Sequence, residues 1–246
     1  QRRVLTWWCR PGDWEAIICD GAVRSGKTFS MGLSFFLWAM ARFNGRQLGL
    51  CGKTITSLRR NLLAELVPYL RRLGFDCWTV RLGGHENRFL LFGGRDESSA
   101  ALIQGSTLAG VLLDEAALMP RSFVEQAVAR CSVAGSRLWF NCNPENPQHW
   151  FYREWILRAR ERRALYLHFT MEDNPALSPR IRARYRSAYS GIFYRRFVLG
   201  EWTAAQGRVY DFFDRDRDSA PVPEGDFQEW RISVDYGTAN PASFGL

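Results

Sequence analysis

One octapeptide limits the fold more than any other feature. Gly21-Ala22-Val23-Arg24-Ser25-Gly26-Lys27-Thr28 fits the spacing G-x-x-x-x-G-K-[ST] and stands between a short apolar run, residues 15–20, and a proline-free stretch, residues 28–43. A strand feeding a glycine-rich loop and then a helix N-terminus is a phosphate cradle. The glycines let successive N–H groups curl around an anion, and the positive end of the helix dipole adds charge. The order strand, loop, helix is therefore expected, with ATP as the ligand. Lys27 is expected at the β- and γ-phosphates and the Thr28 hydroxyl at Mg²⁺. Arg24, inside the loop, reads equally as a phosphate contact or as a surface charge.

A second strand–helix unit follows. Residues 47–51 form the strand, and residues 57–73 carry Leu58, Leu62, Leu63, Leu66 and Leu70 at helical spacing, with Pro68 expected to kink or end that helix. Residues 88–92, 101–104, 110–114 and 137–141 are further short apolar runs, separated by turns or by the helical stretch 122–130. Strands alternating with helices predict an α/β fold, a mainly parallel sheet covered on both faces. Beyond residues 164–169 the pattern changes to Arg- and Tyr-rich helices, 179–190 and 192–199, suited to a small lid. The expected organisation is a core over 1–170, a lid over 171–205, a charged linker over 206–229, and a new strand-bearing unit over 230–246.

Two further segments bear on chemistry. Val111-Leu112-Leu113-Asp114-Glu115 has the form of a Walker B strand: Asp114 is expected in the Mg²⁺ shell, and Glu115 is placed to polarise a water for attack on the γ-phosphate. A small-molecule kinase needs no such base. The strand at 137–141 ends in Asn141 and Asn143, candidates for sensing the γ-phosphate, although Asn-Pro after a strand also serves simply as a turn.

Composition narrows the partner. Lys and Arg number 33 against 25 acidic residues, a formal charge of +8, which suits a polyanion whose counterions are released on binding, or else a merely basic soluble surface. The six cysteines include no C-x-x-C pair, so neither a zinc ribbon nor a disulfide framework is indicated. No apolar run approaches the length needed to span a bilayer, and a cytosolic protein without membrane association is expected. Because the chain opens at Gln1 and stops within an apolar run, it is expected to be part of a longer polypeptide.

Taken together, GAVRSGKT, VLLDEA, NCNPENPQHWFY, EDNPALSP and YRRFVLGEW resemble the large subunits of bacteriophage terminases, in particular the PBSX-like branch. The first two motifs occur in many ATPases; their combination with the others is much narrower and spans almost the whole chain. The resemblance implies an ASCE/RecA-like P-loop ATPase, in residues 21–28 the Walker A loop, in Asp114 and Glu115 the Walker B pair, and in residues 141–144 a coupling motif. It further implies translocation of double-stranded DNA into a procapsid by a homo-oligomeric ring, with portal protein and small terminase subunit as partners, in the cytoplasm of the bacterial host. Residues 232–237 look like the first strand of an RNase H-like nuclease, with Asp235 as its first metal ligand. Only 11 residues follow Asp235, so a complete nuclease is not expected here. The family's trans-acting arginine has no counterpart just before residue 111. Arg95 is the nearest upstream candidate, against a solvated turn charge, with Arg121 and Arg130 downstream. Trp7, Trp8 and Trp14 are candidates for the core, or for packing on adenine. The competing readings are a helicase or DNA-repair ATPase, which the tail bearing Asp235 and the lack of a second motor core oppose, and a nucleotide-dependent DNA- or capsid-binding module with negligible turnover alone, which Glu115 opposes.

Overall fold

In the computed structural model, residues 1–9, 14–73, 76–77, 80–82, 84–204, 233–235 and 243–245 are described. The chain divides into two compact units, Gln1–Gln206 and Gly207–Leu246. Of the second unit the described part is one antiparallel pair, Ser233–Asp235 with Ser243–Gly245. The expected linker, 206–229, lies outside the described residues.

The first unit opens with a short helix, α1 (Arg2–Thr6), then β1 (Ala16–Gly21), α2 (Lys27–Arg42) and β2 (Gln47–Gly52). A helical stretch follows in three pieces: α3 (Ile55–Leu58), a π-helical turn (Arg59–Leu63) and α4 (Ala64–Arg72). Then come β3 (Asp76–Cys77), β4 (Val80–Leu82), β5 (His85–Gly93), α5 (Ala100–Ile103), β6 (Gly110–Asp114), α6 (Arg121–Ala129), β7 (Arg137–Asn141) and β8 (Ala164–Phe169). After β8 come α7 (Pro179–Ala188), α8 (Gly191–Phe193) and a π-helical turn, Tyr194–Leu199. The strands make one eight-stranded sheet in the order β3-β4-β5-β2-β6-β7-β1-β8. From β5 to β8 every neighbouring pair is parallel, and β3 and β4 add an antiparallel edge.

Strand side chains alternate between two buried faces, which is why these strands read as continuous apolar runs. Ile17, Leu50, Leu112 and Trp139 enter one core, with Phe35 and Trp38 of α2 and Leu66 and Leu70 of α4. Ile18, Cys51, Leu113 and Phe140 enter the other, with Phe123 of α6 and Phe151 and Trp155. Trp7 belongs to the first core, its ring 4.9 Å edge-on from Trp139.

One local expectation fails and another is narrowed. Residues 101–103 are helical and Gln104 ends the helix, because Asp96 and Ser99 form a capping box that starts a helical turn and α5 continues it. Of the two outcomes expected at Pro68, a kink or an end, the end does not occur: the helix runs on to Arg72. Among the described residues no helix is long and apolar enough to cross a membrane.

Candidate nucleotide site

All the parallel strands point their carboxyl ends to one edge of the sheet, where an open α/β sheet offers a crevice. Register places the site residues there. Asp114 of β6 pairs with Asn141 of β7, and Asn141 pairs with Cys19 of β1, two residues before Gly21. Gly21 and Gly26 have φ of 123° and 83°, so the loop between them reverses where L side chains are strained, and Lys27 then opens α2.

A cleft of about 610 Å³ gathers Val23, Arg24, Ser25, Gly26, Lys27, Thr28, Asp114, Glu115, Asn141 and Asn143. Gly21 and Ala22 lie beneath it and offer their carbonyls to Lys27. The ammonium donates to Gly21 O at 3.0 Å, Ala22 O at 2.7 Å, Ser25 Oγ at 3.2 Å and Asn143 Oδ1 at 3.2 Å. Thr28 Oγ1 lies 3.3 Å from Asp114 Oδ1, and Asn141 Nδ2 donates to both, at 2.9 Å to the hydroxyl. Burial pulls the Lys27 pKa down to about 8, only partly offset by Cys142, Asp20, Cys19 and Asp114. Burial pushes Asp114 up to about 6; the bond from Asn141 opposes this and the charge of Glu115 adds to it.

Arg24 and Glu115 are strained, with φ of 59° and 60°, and both border the cleft. The Arg24 side chain turns from the loop: its Nε donates to the Tyr185 hydroxyl of α7 at 3.2 Å, and its carbonyl accepts from Asn174 Nδ2 at 2.7 Å. Arg95 is outside the cleft on an exposed turn, where its carbonyl accepts from Lys53 Nζ. Arg121 pairs with Glu125. None of Trp7, Trp8 and Trp14 lines the cleft; Trp8 packs on the first core and Trp14 is exposed. Asp235 ends the strand Ser233–Asp235 of the second unit.

Several lining residues escape sequence reading. Phe29, Arg60, Asn61, Glu65, Cys142 and Asn174 all border the cleft. Arg60 and Asn61 reach it because Gly32 lets α2 approach closely: a Cβ there would sit 2.6 Å from Leu62 Cδ1 and 2.8 Å from Leu66 Cδ2. No local motif announces such a contact; the signal is one glycine in a helix interior.

The donors present suit a hard divalent ion beside a phosphate chain. A threonine hydroxyl and a carboxylate lie within hydrogen-bond range of each other, and Asn141 Oδ1 is buried without a partner. Among the described residues no group of three His, Cys, Asp or Glu is placed to hold a metal.

A parallel sheet in this strand order, with a glycine loop leading into α2 and an acidic pair closing β6, defines a P-loop NTPase core. The chain belongs to the terminase large subunit family: the family model for the N-terminal region of the large subunit, T4likevirus type, matches residues 18–217. The large terminase of a thermophilic bacteriophage, solved in complex with ADP, is 46% identical with a TM-score of 0.81, covering 99% of this chain and 63% of that one. The complex of the same phage protein with ATP-γ-S gives 46% identity and a TM-score of 0.78, over 99% and 62%. The large terminase ATPase domain of Thermus phage P74-26 shares the fold at 16% identity and a TM-score of 0.57, over 79% of this chain and 90% of that one. No curated protein matches the sequence. This chain thus spans less than two thirds of the length of the thermophilic phage's large terminase.

Proposed function

We propose that this chain binds and hydrolyses ATP as the motor part of a viral DNA-packaging terminase, driving double-stranded DNA into a procapsid. The observation that carries this reading is the convergence of Lys27, Thr28, Asp114, Glu115, Asn141 and Asn143 on one cleft. The ADP and ATP-γ-S complexes of the thermophilic phage's large terminase support the choice of nucleotide. In this reading Lys27 leaves the loop carbonyls to meet the β- and γ-phosphates, and the N–H groups of residues 22–28 cradle them. Thr28 and Asp114 would hold Mg²⁺, which when bound would neutralise phosphate charge. Glu115 orients the attacking water, Asn141 and Asn143 respond to the γ-phosphate, and Arg24 contributes either to phosphate binding or to lid contact. Arg95, away from its own cleft, would serve a neighbouring subunit in a ring.

Residues 1–170 then act as motor core, 171–205 as lid, 206–229 as linker, and 230–246 as the start of an RNase H-like nuclease in which Asp235 is a metal ligand. Portal protein and small terminase subunit are the proposed assembly partners, in the host cytoplasm and at the procapsid. The basic surface is smaller than the sequence suggests, because Arg158, Arg162, Arg163, Arg182 and Arg186 already pair with carboxylates. Arg160, Arg180 and Arg184, with no ion pair among the described residues, are the proposed phosphate contacts of DNA.

Turnover of ATP measured with and without double-stranded DNA, over a range of protein concentrations, tests the reading. The rate per chain is expected to rise with DNA and with concentration, and Glu115→Gln to bind ATP while losing about 10²–10⁴ in rate. Turnover indifferent to DNA would overturn the motor assignment, and wild-type turnover in Glu115→Gln would overturn the base.

A further inference from the structure

Asp20 takes no part in the contacts inside the cleft, yet it is the residue directly before Gly21 and is 0% exposed. A carboxylate removed from water is costly unless donors surround it. Three do. The Trp202 indole N–H donates to Oδ2 at 2.6 Å, His168 Nδ1 lies 3.0 Å from Oδ1, and the Tyr166 hydroxyl bonds the same group. His168 and Tyr166 come from β8, the strand beside β1; Trp202 comes from 182 residues along the chain.

The Trp202 ring also has aromatic neighbours, and one of them leads to the acidic turn. It packs on Tyr152 at 4.8 Å and on His149 at 6.2 Å. His149 Nδ1 accepts from the Phe151 N–H at 3.2 Å, which leaves Nε2–H as the donor to the carbonyl of Ala117, two residues past Glu115. The segment before Trp202 presses on the loop itself. Gly200 has φ of 74°, and a Cβ there would lie 2.6 Å from Ala22 N, while the Val23 N–H donates to Phe197 O at 3.1 Å.

We propose that Trp202 is a positioning residue for nucleotide binding: without touching the ligand, it holds the phosphate loop, through Asp20, in fixed relation to the turn after Asp114–Glu115, through His149. The inference rests on the reading of the cleft as an ATP site. Lys27 must exchange the Gly21 and Ala22 carbonyls for phosphate oxygens, and that exchange is favourable only while the loop backbone stays where Asp20 and Gly200 fix it.

Trp202→Phe tests this with little else disturbed, since it keeps a ring on Tyr152 and removes the N–H. Loss of one hydrogen bond to a charged group predicts an ATP-γ-S Kd raised about tenfold by calorimetry on the whole chain. KM should rise with it while kcat stays within about twofold. His149→Phe, which breaks only the link to Ala117, should shift KM the same way by a smaller factor, and serves if Trp202→Phe does not fold. Leu108→Ala truncates a buried side chain just before β6, at the opposite edge of the sheet, and should lower Tm without moving KM. A Trp202→Phe protein with lowered Tm but unchanged Kd and KM overturns the inference and leaves the ATP site standing; so does an equal KM shift in Leu108→Ala. Absence of nucleotide binding by the wild-type chain overturns the ATP site, and this inference with it.

Discussion

The cleft and helix α7, in the proposed lid, are both rich in charge and treat it in opposite ways. In the cleft, Lys27 and Asp114 are 5% and 3% exposed and are met by carbonyls, hydroxyls and amides more than by each other. Burial moves both pKa values toward neutrality, about 8 and about 6, so these groups are poised to accept charge from a ligand. No residue of α7 is buried, and its Arg182 and Arg186 share the exposed Glu172. Access of water separates the two: charged groups are tuned where it is excluded and merely screened where it is not.

The largest effect should come from breaking the cleft at Lys27. Lys27→Ala is expected to lose measurable ATP-γ-S binding and turnover while circular dichroism shows an intact fold, because the charge that meets the phosphates is gone. Arg186→Ala, on the lid, should change affinity by less than about twofold, the scale of a screened surface charge. Titration of both variants side by side checks the contrast, and equal losses would abolish it.

Most of the cleft is legible in the sequence because its chemistry is local. Strand and helix are expected at 15–20 and 28–43 and are found at Ala16–Gly21 and Lys27–Arg42, since a glycine loop between an apolar run and a proline-free stretch leaves the chain little choice. Asp114, Glu115, Asn141 and Asn143 follow from their places at strand ends. What depends on distant partners is not legible. Asp20 reads as one more residue of an apolar strand until Trp202 meets it, and Arg24 gives no sign of turning toward Tyr185. Residues 101–104 mislead because so short a run carries no period, and the deciding signal, Asp96 with Ser99, lies outside it. Pro68 leaves its helix unended because a proline removes one hydrogen bond without dictating the fate of the turns beyond it.

A middle-sized effect sharpens the cleft side of the contrast through pH. Asp114 has a folded pKa of about 6, above its ordinary 3.8, so it favours folding while protonated and loses that contribution as pH rises through 6. Lys27, depressed to about 8, favours folding above its ordinary pKa of 10.5 and loses that contribution as pH falls through 8. Of these two groups only Asp114 changes charge appreciably between pH 5 and pH 7, so it should subtract about 1 kcal/mol from the stability of the ligand-free protein over that interval. Asp114→Asn keeps an oxygen to accept from Asn141 and should remove that slope. Denaturant melts of both proteins at the two pH values measure the difference, and identical slopes would refute the assignment.

The smallest effect belongs to the lid. Glu172→Gln removes the charge that Arg182 and Arg186 share, both pairs being solvent-screened, and exposed pairs contribute between about 0 and 1 kcal/mol. A Tm lowered by about 1–3 °C in low salt, vanishing near 1 M NaCl, is expected. Arg182 supplies the sharper half of the test, because it is only 22% exposed and its second terminal nitrogen donates to the Asn174 carbonyl at 2.9 Å. Asn174 in turn donates to the carbonyl of Arg24 inside the phosphate loop. If Glu172 merely decorates the surface, Arg182 keeps its bond to Asn174 in the variant and ATP-γ-S affinity does not change. A loss of affinity that salt does not reproduce in the wild type would mean that Glu172 holds Arg182, and through Asn174 the loop, so that the lid's charges belong to the cleft after all.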